Sequence, residues 1–397
     1  MINVKELAKS VESDVLSYWK HIHQNPELSM KEYKTSEFVE KILKETTNVD
    51  VIHHVGETGL LVEIHGTKPG EQKTFAIRAD MDALPVQEKT NLPYASQCPN
   101  VMHACGHDVH TSTLLGVVRM LDSIKDQFSG KVLCIFQPGE EVMEGAKQFL
   151  KSEHIDYSKI DGIACLHVSP EINAGTIGVK KGPILASSDS LTITVKGKQG
   201  HGAHPHTVVD SILIASHIVV ALQSLVSRET APGDSAVLSF GCIQGGEVFN
   251  IVPETVTLKG TLRALNPNTR KQLIESISRV AKGVAQSMRG DAEVDIILGP
   301  PPLICEDEWI DRLDRVATNL LGEGTVVHMP VASMGAEDFA FMKELVPGVF
   351  FRLGTRTPNG PYGSMHSPFY YSDEKSFITG LTSMVGLTLD YLGAEYK

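Results

Sequence analysis

The densest group of chemically active side chains lies between His103 and His110. This stretch of eight positions holds one thiol, three imidazoles and one carboxylate. Cys105 and His107 are two residues apart, so both side chains can point to the same side of an extended or turn segment. A thiolate and an imidazole suit zinc, and nearby carboxylates would also admit manganese. From these residues alone a metal site, a thiol nucleophile activated by a histidine, and a structural thiol all stay open.

Further ligand-type side chains follow runs that are typical of buried strands. Because the carboxyl ends of parallel strands meet at one edge of a sheet, we expect these side chains to lie together there. Consecutive side chains diverge, so one of two adjacent acids can bind metal while the other faces a substrate. A helix is predicted from His110 to Ile124, which would place Cys105 and His107 just before it. The strand runs are 75–79 before Asp80 and Asp82, 131–136 before Glu140 and Glu141, and 162–166 before His167.

The order of predicted elements divides the chain into three parts. Strands alternate with helices before residue 186 and again after residue 300, which predicts an α/β fold with a crevice at the strand ends. Between them the order is βαββαβ, which is typical of a ferredoxin-like unit large enough to form its own domain. We therefore expect one domain built from 1–185 and 301–397, with 186–300 inserted into it.

Composition limits the classes of partner. The chain of 397 residues has a formal net charge of −12 and lacks a basic run, which disfavours nucleic acid and anionic membranes. The charged N-terminus does not resemble a signal peptide, and no uninterrupted apolar run of membrane-spanning length is evident. Six widely spaced cysteines suggest free thiols in a reducing cytoplasm.

A series of motifs along almost the whole chain carries a resemblance to a known family. Their order and spacing are similar to those of metallo-amidohydrolases such as hippurate hydrolase, N-acyl-amino-acid deacylases and plant auxin-conjugate hydrolases, a branch of the aminoacylase and carboxypeptidase superfamily. The motifs are RADMDALPVQE (78–88), MHACGHDVHTS (102–112), FQPGEE (136–141), LHVSP (166–170), GKQGHGAHPH (197–206), FNIVP (249–253), GTLR (260–263), MGAEDF (334–339) and HSPFY (366–370).

The resemblance implies a dimetal, zinc-peptidase-like catalytic domain of the α/β class with an inserted ferredoxin-like lid that also forms a dimer. It implies two divalent ions per subunit, manganese or zinc, with cobalt or nickel as substitutes in vitro. Cys105 stands where related branches use a metal-bridging aspartate. Asp80 stands where the superfamily has a ligand histidine, and we leave it out of the ligand set. The residues that match the family's ligands are Cys105, His107, Glu141, His167 and His366.

Other matched positions imply roles around these ligands. Glu140 matches the general base, and Asp82 matches the acid that orients a ligand imidazole through its second N–H. His201 matches a lid histidine that reaches the other subunit's site, although a turn histidine without a role is the plain alternative. Asn250 and Arg263 match residues that bind a substrate carboxylate, and for Arg263 an exposed charge on a sheet is the alternative. Ser169 occupies a position that is often bulkier in the family, which leaves the size of the acyl pocket open.

The implied reaction is hydrolysis of an N-acyl-amino acid to an amino acid and a carboxylate, a cleavage of a linear amide. Substrates related to acetyl-diaminopimelate, acetyl- or succinyl-cysteine and hippurate all fit. A metallo-dipeptidase or carboxypeptidase with the same site is the main alternative. A non-catalytic metal- or metabolite-binding protein would need the ligands but not Glu140 beside them, and a mechanism with Cys105 as nucleophile would survive chelation. We expect a cytoplasmic homodimer, or a dimer of dimers, joined through the lid.

Overall fold

A computed structural model describes residues 1–358, 360 and 363–397 of the chain. Its helices are long at both ends of the chain and in the inserted region. They are α1 (Val4–Gln24), α2 (Tyr33–Thr46), α3 (His107–Asp122), α4 (Gly145–Leu150), α5 (Ser211–Ser224), α6 (Pro267–Ser287), α7 (Asp307–Leu321), α8 (Phe339–Lys343) and α9 (Ser376–Tyr391).

The strands belong to one large sheet, one smaller sheet and two short pairs. They are β1 (Val51–Val55), β2 (Gly59–His65), β3 (Thr74–Asp80), β4 (Lys131–Gln137), β5 (Gly162–Asn173), β6 (Ile177–Val179), β7 (Gly182–Leu185), β8 (Asp189–Lys196), β9 (Gly200–His201), β10 (Ala236–Gln244), β11 (Ile251–Val252), β12 (Thr255–Ala264), β13 (Asp291–Ile297), β14 (Leu303–Cys305), β15 (Val326–His328) and β16 (Gly348–Arg356).

The large sheet has the strand order β1-β2-β4-β3-β5-β16-β6-β15. Its central strands β4, β3, β5 and β16 run parallel to one another. Their apolar side chains are almost wholly buried, as expected for strands covered by helices on both faces. Parallel pairing brings the carboxyl ends of β3 and β4 together, with Asp80 opposite Gln137. The α/β class predicted from the sequence is confirmed.

The inserted region forms a four-stranded antiparallel sheet of order β10-β12-β8-β13. With α5 after β8 and α6 after β12, this is the ferredoxin-like βαββαβ arrangement that the sequence predicts. Ile214, Ile218 and Leu222 of α5 lie in its core. The segment Ser211–Glu229 is also long and apolar enough to cross a membrane. This is weak evidence for a membrane span, because helices that pack against a core pass the same test.

Contacts divide the chain into two compact units. One contains 1–182, 305–330 and 341–397, and the other contains 183–304 and 331–340. The second unit therefore includes a short segment from the C-terminal part that the sequence analysis assigns to the catalytic domain. The role of the second unit as a lid and dimerisation domain stays a prediction.

Two local expectations were wrong in ways that affect the site. Helix α3 begins at His107 rather than His110, so His107 is its first residue. Strand β5 runs to Asn173 rather than ending at Leu166, so His167 and Ser169 lie within the strand. The glycine before α3 takes the place of the usual polar cap, and β5 continues past Leu166 because it pairs with β16 as far as Asn173.

Candidate metal centre

The predicted ligands of the first unit meet at the carboxyl edge of the parallel strands. Cys105 and His107 are joined by Gly106, which directly precedes α3 and has a left-handed conformation with φ of 79°. A Cβ at Gly106 would come within 2.5 Å of the Tyr370 hydroxyl and 2.6 Å of a Val168 methyl. Both the backbone conformation and the space therefore require glycine between Cys105 and His107.

All five predicted ligands fall into three overlapping groups that share residues, and a further group joins His107 to Asp80 and His110. Within each group the candidate ligand atoms lie within 4.8 Å of one another. Cys105 belongs to two of them, and its Sγ lies 3.6 Å from Nε2 of His167. His366 Nε2 lies 3.3 Å from an oxygen of Glu141. The groups are Cys105, His107 and His167; Cys105, Glu141 and His366; and His107, Glu140 and Glu141.

The orientation of His107 is set by Asp82. Its Nδ1 lies 3.1 Å from an Asp82 carboxylate oxygen, so Nδ1–H donates to that oxygen and Nε2 faces the other ligands. His107 is fully buried, and its Nε2 has no hydrogen-bond partner in the part of the chain that the structure describes. A buried nitrogen aimed at a thiol and carboxylates is the arrangement that a divalent ion would satisfy. These residues therefore fit the two ions that the family implies.

The turn after β4 carries both glutamates. The backbone N–H of Glu140 donates to one oxygen of Asp82 at 3.1 Å, and that of Glu141 donates to the other at 3.0 Å. The Glu140 side chain is buried, whereas Glu141 is half-buried. Because both carboxylates have an oxygen near His107, the geometry alone does not separate a ligand from a base.

Asp80 has an internal counter-ion. Arg78 Nη1 donates to one of its oxygens at 2.6 Å, and His110 Nδ1 donates to the other at 2.5 Å. Since His110 Nε2 accepts from the N–H of Val168 at 2.9 Å, its proton must be on Nδ1. Asp80 also lies 3.7 Å from His107 Nε2. Because Arg78 and His110 already bind both oxygens of Asp80, this residue can have a structural role without being a metal ligand.

Burial dominates the electrostatics of the cluster. It raises the pKa of the Cys105 thiol to about 12 and lowers the pKa of His167 well below its ordinary value. Burial also opposes a charge on His107, but the Asp80 carboxylate, the Cys105 thiol and the hydrogen bond to Asp82 together raise the pKa of His107 well above its ordinary range. A hydrogen bond to Glu141 raises the pKa of His366. A buried thiol of high pKa is a poor nucleophile, whereas a bound cation would favour the thiolate.

The other predicted site residues lie in the second unit. His201 is exposed on β9, where its Nδ1 accepts the N–H of Ala203 at 3.1 Å. The strand pair β9 and β11 places it beside Asn250, whose carbonyl accepts the N–H of Gly202 at 2.8 Å. Arg263 lies apart from them on β12, half-buried, with Nη1 donating to the carbonyl of Met334 at 3.1 Å. The structure thus brings His201 and Asn250 together within this unit, and their roles stay predictions.

Two residues next to the site were missed by the sequence analysis. Ser29 Oγ donates to Asp82 at 2.6 Å, and Glu32 accepts the N–H of Gly139 at 2.9 Å. Both lie in the connection between α1 and α2. The glutamate precedes a helix with an exposed polar face, so nothing in the local pattern indicates that it is buried.

Comparison with known proteins agrees with this geometry. Residues 76–390 match the family model described as Peptidase family M20/M25/M40. The chain is 38% identical to N-acetyl-L-cysteine deacetylase of Bacillus subtilis over 369 residues, which cover 93% of this chain and 86% of that protein. It is 38% identical to hippurate hydrolase of Campylobacter jejuni over 373 residues, covering 94% of each chain.

A solved structure is similar over the whole length. The YXEP protein of Bacillus subtilis, described as a dinuclear metal binding peptidase from the M20 family, superposes with a TM-score of 0.85 at 32% identity, covering 98% of this chain and 100% of that one. The resemblance inferred from the sequence motifs is confirmed. The family match, which covers most of the chain, and the relatives at 38% identity show that this protein belongs to peptidase family M20/M25/M40.

Proposed function

We propose that this protein hydrolyses the amide bond of N-acyl-amino acids, releasing an amino acid and a carboxylate. One observation carries the proposal: a thiol shared by two ligand groups and the buried carboxylate of Glu140 both lie near His107 at the strand ends. Two relatives have names that indicate substrates of this class, N-acetyl-L-cysteine deacetylase and hippurate hydrolase. The chain covers most of the length of both.

The ligand set defines what a bound metal pair would contribute. Two divalent ions would lower the pKa of a water and stabilise negative charge on the amide oxygen. The thiol and imidazoles suit zinc, and the carboxylates also admit manganese, so we propose one of these as the native metal. The residues that would hold the ions are Cys105, His107, Glu141, His167 and His366.

The protein's own residues move the protons. We assign Glu140 as the general base, which takes a proton from the attacking water as the new C–O bond forms. When the C–N bond breaks, Glu140 gives this proton to the leaving nitrogen, so a carboxylic acid and a neutral amine form, and the acid then loses its remaining proton to solvent or to the amine. Asp82 keeps His107 oriented and, through the N–H groups of Glu140 and Glu141, holds the turn that carries both acids.

We further propose that residues of the second unit complete the site in a homodimer or a dimer of dimers. Arg263 and Asn250 would bind the substrate's free carboxylate, for which a guanidinium and an amide are suitable donors. His201 is exposed and could donate to the amide oxygen of a substrate held by the partner subunit. All six cysteines are free, which supports the cytoplasm as the location.

A substrate panel assayed after addition of Mn²⁺, Zn²⁺ or Co²⁺ tests the reaction. We expect hydrolysis of acetyl-, succinyl- or benzoyl-amino acids, and little cleavage of dipeptides. Chelation should abolish turnover, and metal should restore it, because the activated water depends on the ions. Faster cleavage of dipeptides would favour the metallo-dipeptidase alternative, and full activity in metal-free protein would contradict a metal mechanism.

Substitution of the two adjacent glutamates distinguishes base from ligand. Glu140→Gln should keep two ions per chain and lower kcat by about 10² to 10⁴, the usual size of a general-base effect. Glu141→Gln is the matched control and should lose metal. Metal content by elemental analysis together with kcat decides the assignment, and the reverse pattern would show that the two roles are exchanged.

Co-expression of Glu140→Gln and His201→Ala chains tests the action of His201 across a dimer. In a mixed dimer one site has both an intact base and an intact histidine from the partner. Random pairing makes half the dimers mixed, so roughly a quarter of the wild-type activity should return. If His201 acts within its own chain, no site has both groups, and the activity stays at the level of the separate variants.

A further inference from the structure

Two buried carboxylates hold three consecutive N–H groups of the turn after β4. Asp82 accepts from Glu140 and Glu141, and Glu32 accepts from Gly139 through Oε1 at 2.9 Å. The same oxygen of Glu32 accepts the N–H of Met30 at 2.8 Å. The turn that carries the proposed base and a proposed ligand is therefore fixed from two sides.

Gly139 also lies against the side chain of Met30. Gly139 has a positive φ of 62°, and a Cβ there would come within 2.3 Å of Met30 Sδ. The loop that supplies Glu32 therefore contacts the turn both through a carboxylate and through the Met30 side chain. A small change in this loop would move Gly139, and the next residue in the chain is Glu140.

Burying the Glu32 carboxylate to make these hydrogen bonds costs free energy. Its side chain is fully buried, and its other oxygen accepts the hydroxyl of Thr58 at 3.0 Å. Within the described part of the chain, no Lys, Arg or His forms an ion pair with it. Burial, followed by the charge of Asp82, raises the pKa of Glu32 to about 7.

The raised pKa fixes the sign of its effect on stability. A carboxyl whose pKa is raised from 4.5 in the unfolded chain to about 7 in the folded protein contributes stability at low pH that is lost as the pH rises through this window. At pH 8 an ionised Glu32 therefore costs stability. The titratable groups near it are Asp82 and the next residue, Tyr33, whose pKa it helps to raise.

We propose that Glu32 is a positioning residue for catalysis: its carboxylate holds the Gly139 N–H and thereby aims Glu140 at the substrate. This rests on the proposed function of Glu140. Glu32 contacts none of the predicted metal ligands, so it acts only through the turn. An ionised acceptor makes stronger hydrogen bonds than an amide does, which explains a carboxylate in place of a glutamine.

Glu32→Ala and Glu32→Gln test the proposal, with Glu27→Ala as the matched control. Glu27 is a half-buried acid of the same loop that accepts the N–H and the hydroxyl of Thr35 and does not contact the turn. With the best N-acyl-amino acid of the panel, Glu32→Ala should lower kcat by about 10- to 100-fold and change KM by less than about three-fold. Glu32→Gln should recover most of kcat because its amide oxygen can still accept from Gly139, and Glu27→Ala should keep wild-type kcat.

Hydrogen exchange gives a readout that does not need activity. In Glu32→Ala the peptide covering 139–141 should exchange faster than in the wild type, with Glu32→Gln between them and Glu27→Ala unchanged. At pH 8 the thermal midpoint of Glu32→Gln should equal or exceed that of the wild type. If Glu32→Ala does not fold, Glu32→Met fills the space without an acceptor and replaces it.

Unchanged exchange at 139–141, or wild-type kcat in folded Glu32→Ala, would overturn the positioning role. A lowered midpoint in Glu32→Gln with unchanged exchange would show a purely structural role. If the wild type hydrolyses nothing in the panel but exchange responds as described, the proposed reaction is wrong while the contact between Glu32 and the turn is upheld.

Discussion

The carboxylate of Asp82 joins the two halves of the candidate metal centre. One oxygen contacts His107 Nδ1 and the N–H of Glu140, and the other accepts from the N–H of Glu141 and the hydroxyl of Ser29. It is fully buried, which by itself raises its pKa, but the hydrogen bond and charge of His107 and the hydrogen bond from Ser29 together lower the pKa of Asp82. Four donors on one carboxylate fix residues from α3, the turn after β4 and the loop before α2 relative to one another. The positions of His107, Glu140 and Glu141 therefore depend on this acid.

The charged and polar side chains around Asp82 favour the binding of cations. Arg78 balances Asp80, and His110 links Asp80 to the backbone of β5. The remaining acids, the thiol and the imidazoles face one another at distances that leave His107 Nε2 without a hydrogen bond. Burying such a set without a counter-charge is costly, and divalent ions would offset that cost. The proposed function and the stability of this edge of the sheet therefore depend on the same ions.

Much of this arrangement could be predicted from the sequence because ligand-type residues follow apolar strands, and parallel strands bring their carboxyl ends together. That Cys105, His107 and His167 lie close together could be predicted from their positions near the ends of strands and from the chemistry of their side chains. The start of α3 at His107 could not be predicted, since Gly106 in a left-handed conformation replaces the usual polar residue before a helix. Glu32 could not be predicted either, because its burial is created by Thr58 and Gly139, which are distant in sequence.

The two ligand groups that contain Cys105 would each hold one metal ion. Anomalous diffraction from crystals grown with Zn²⁺ or Mn²⁺ tests this most directly, because it locates the ions independently of activity. The account predicts two anomalous peaks per chain, each with the Cys105 Sγ within bonding reach, about 2.3 Å for zinc. One ion should also contact His107 or His167, and the other Glu141 or His366. A single peak, or two peaks that both lie away from Cys105, would contradict it.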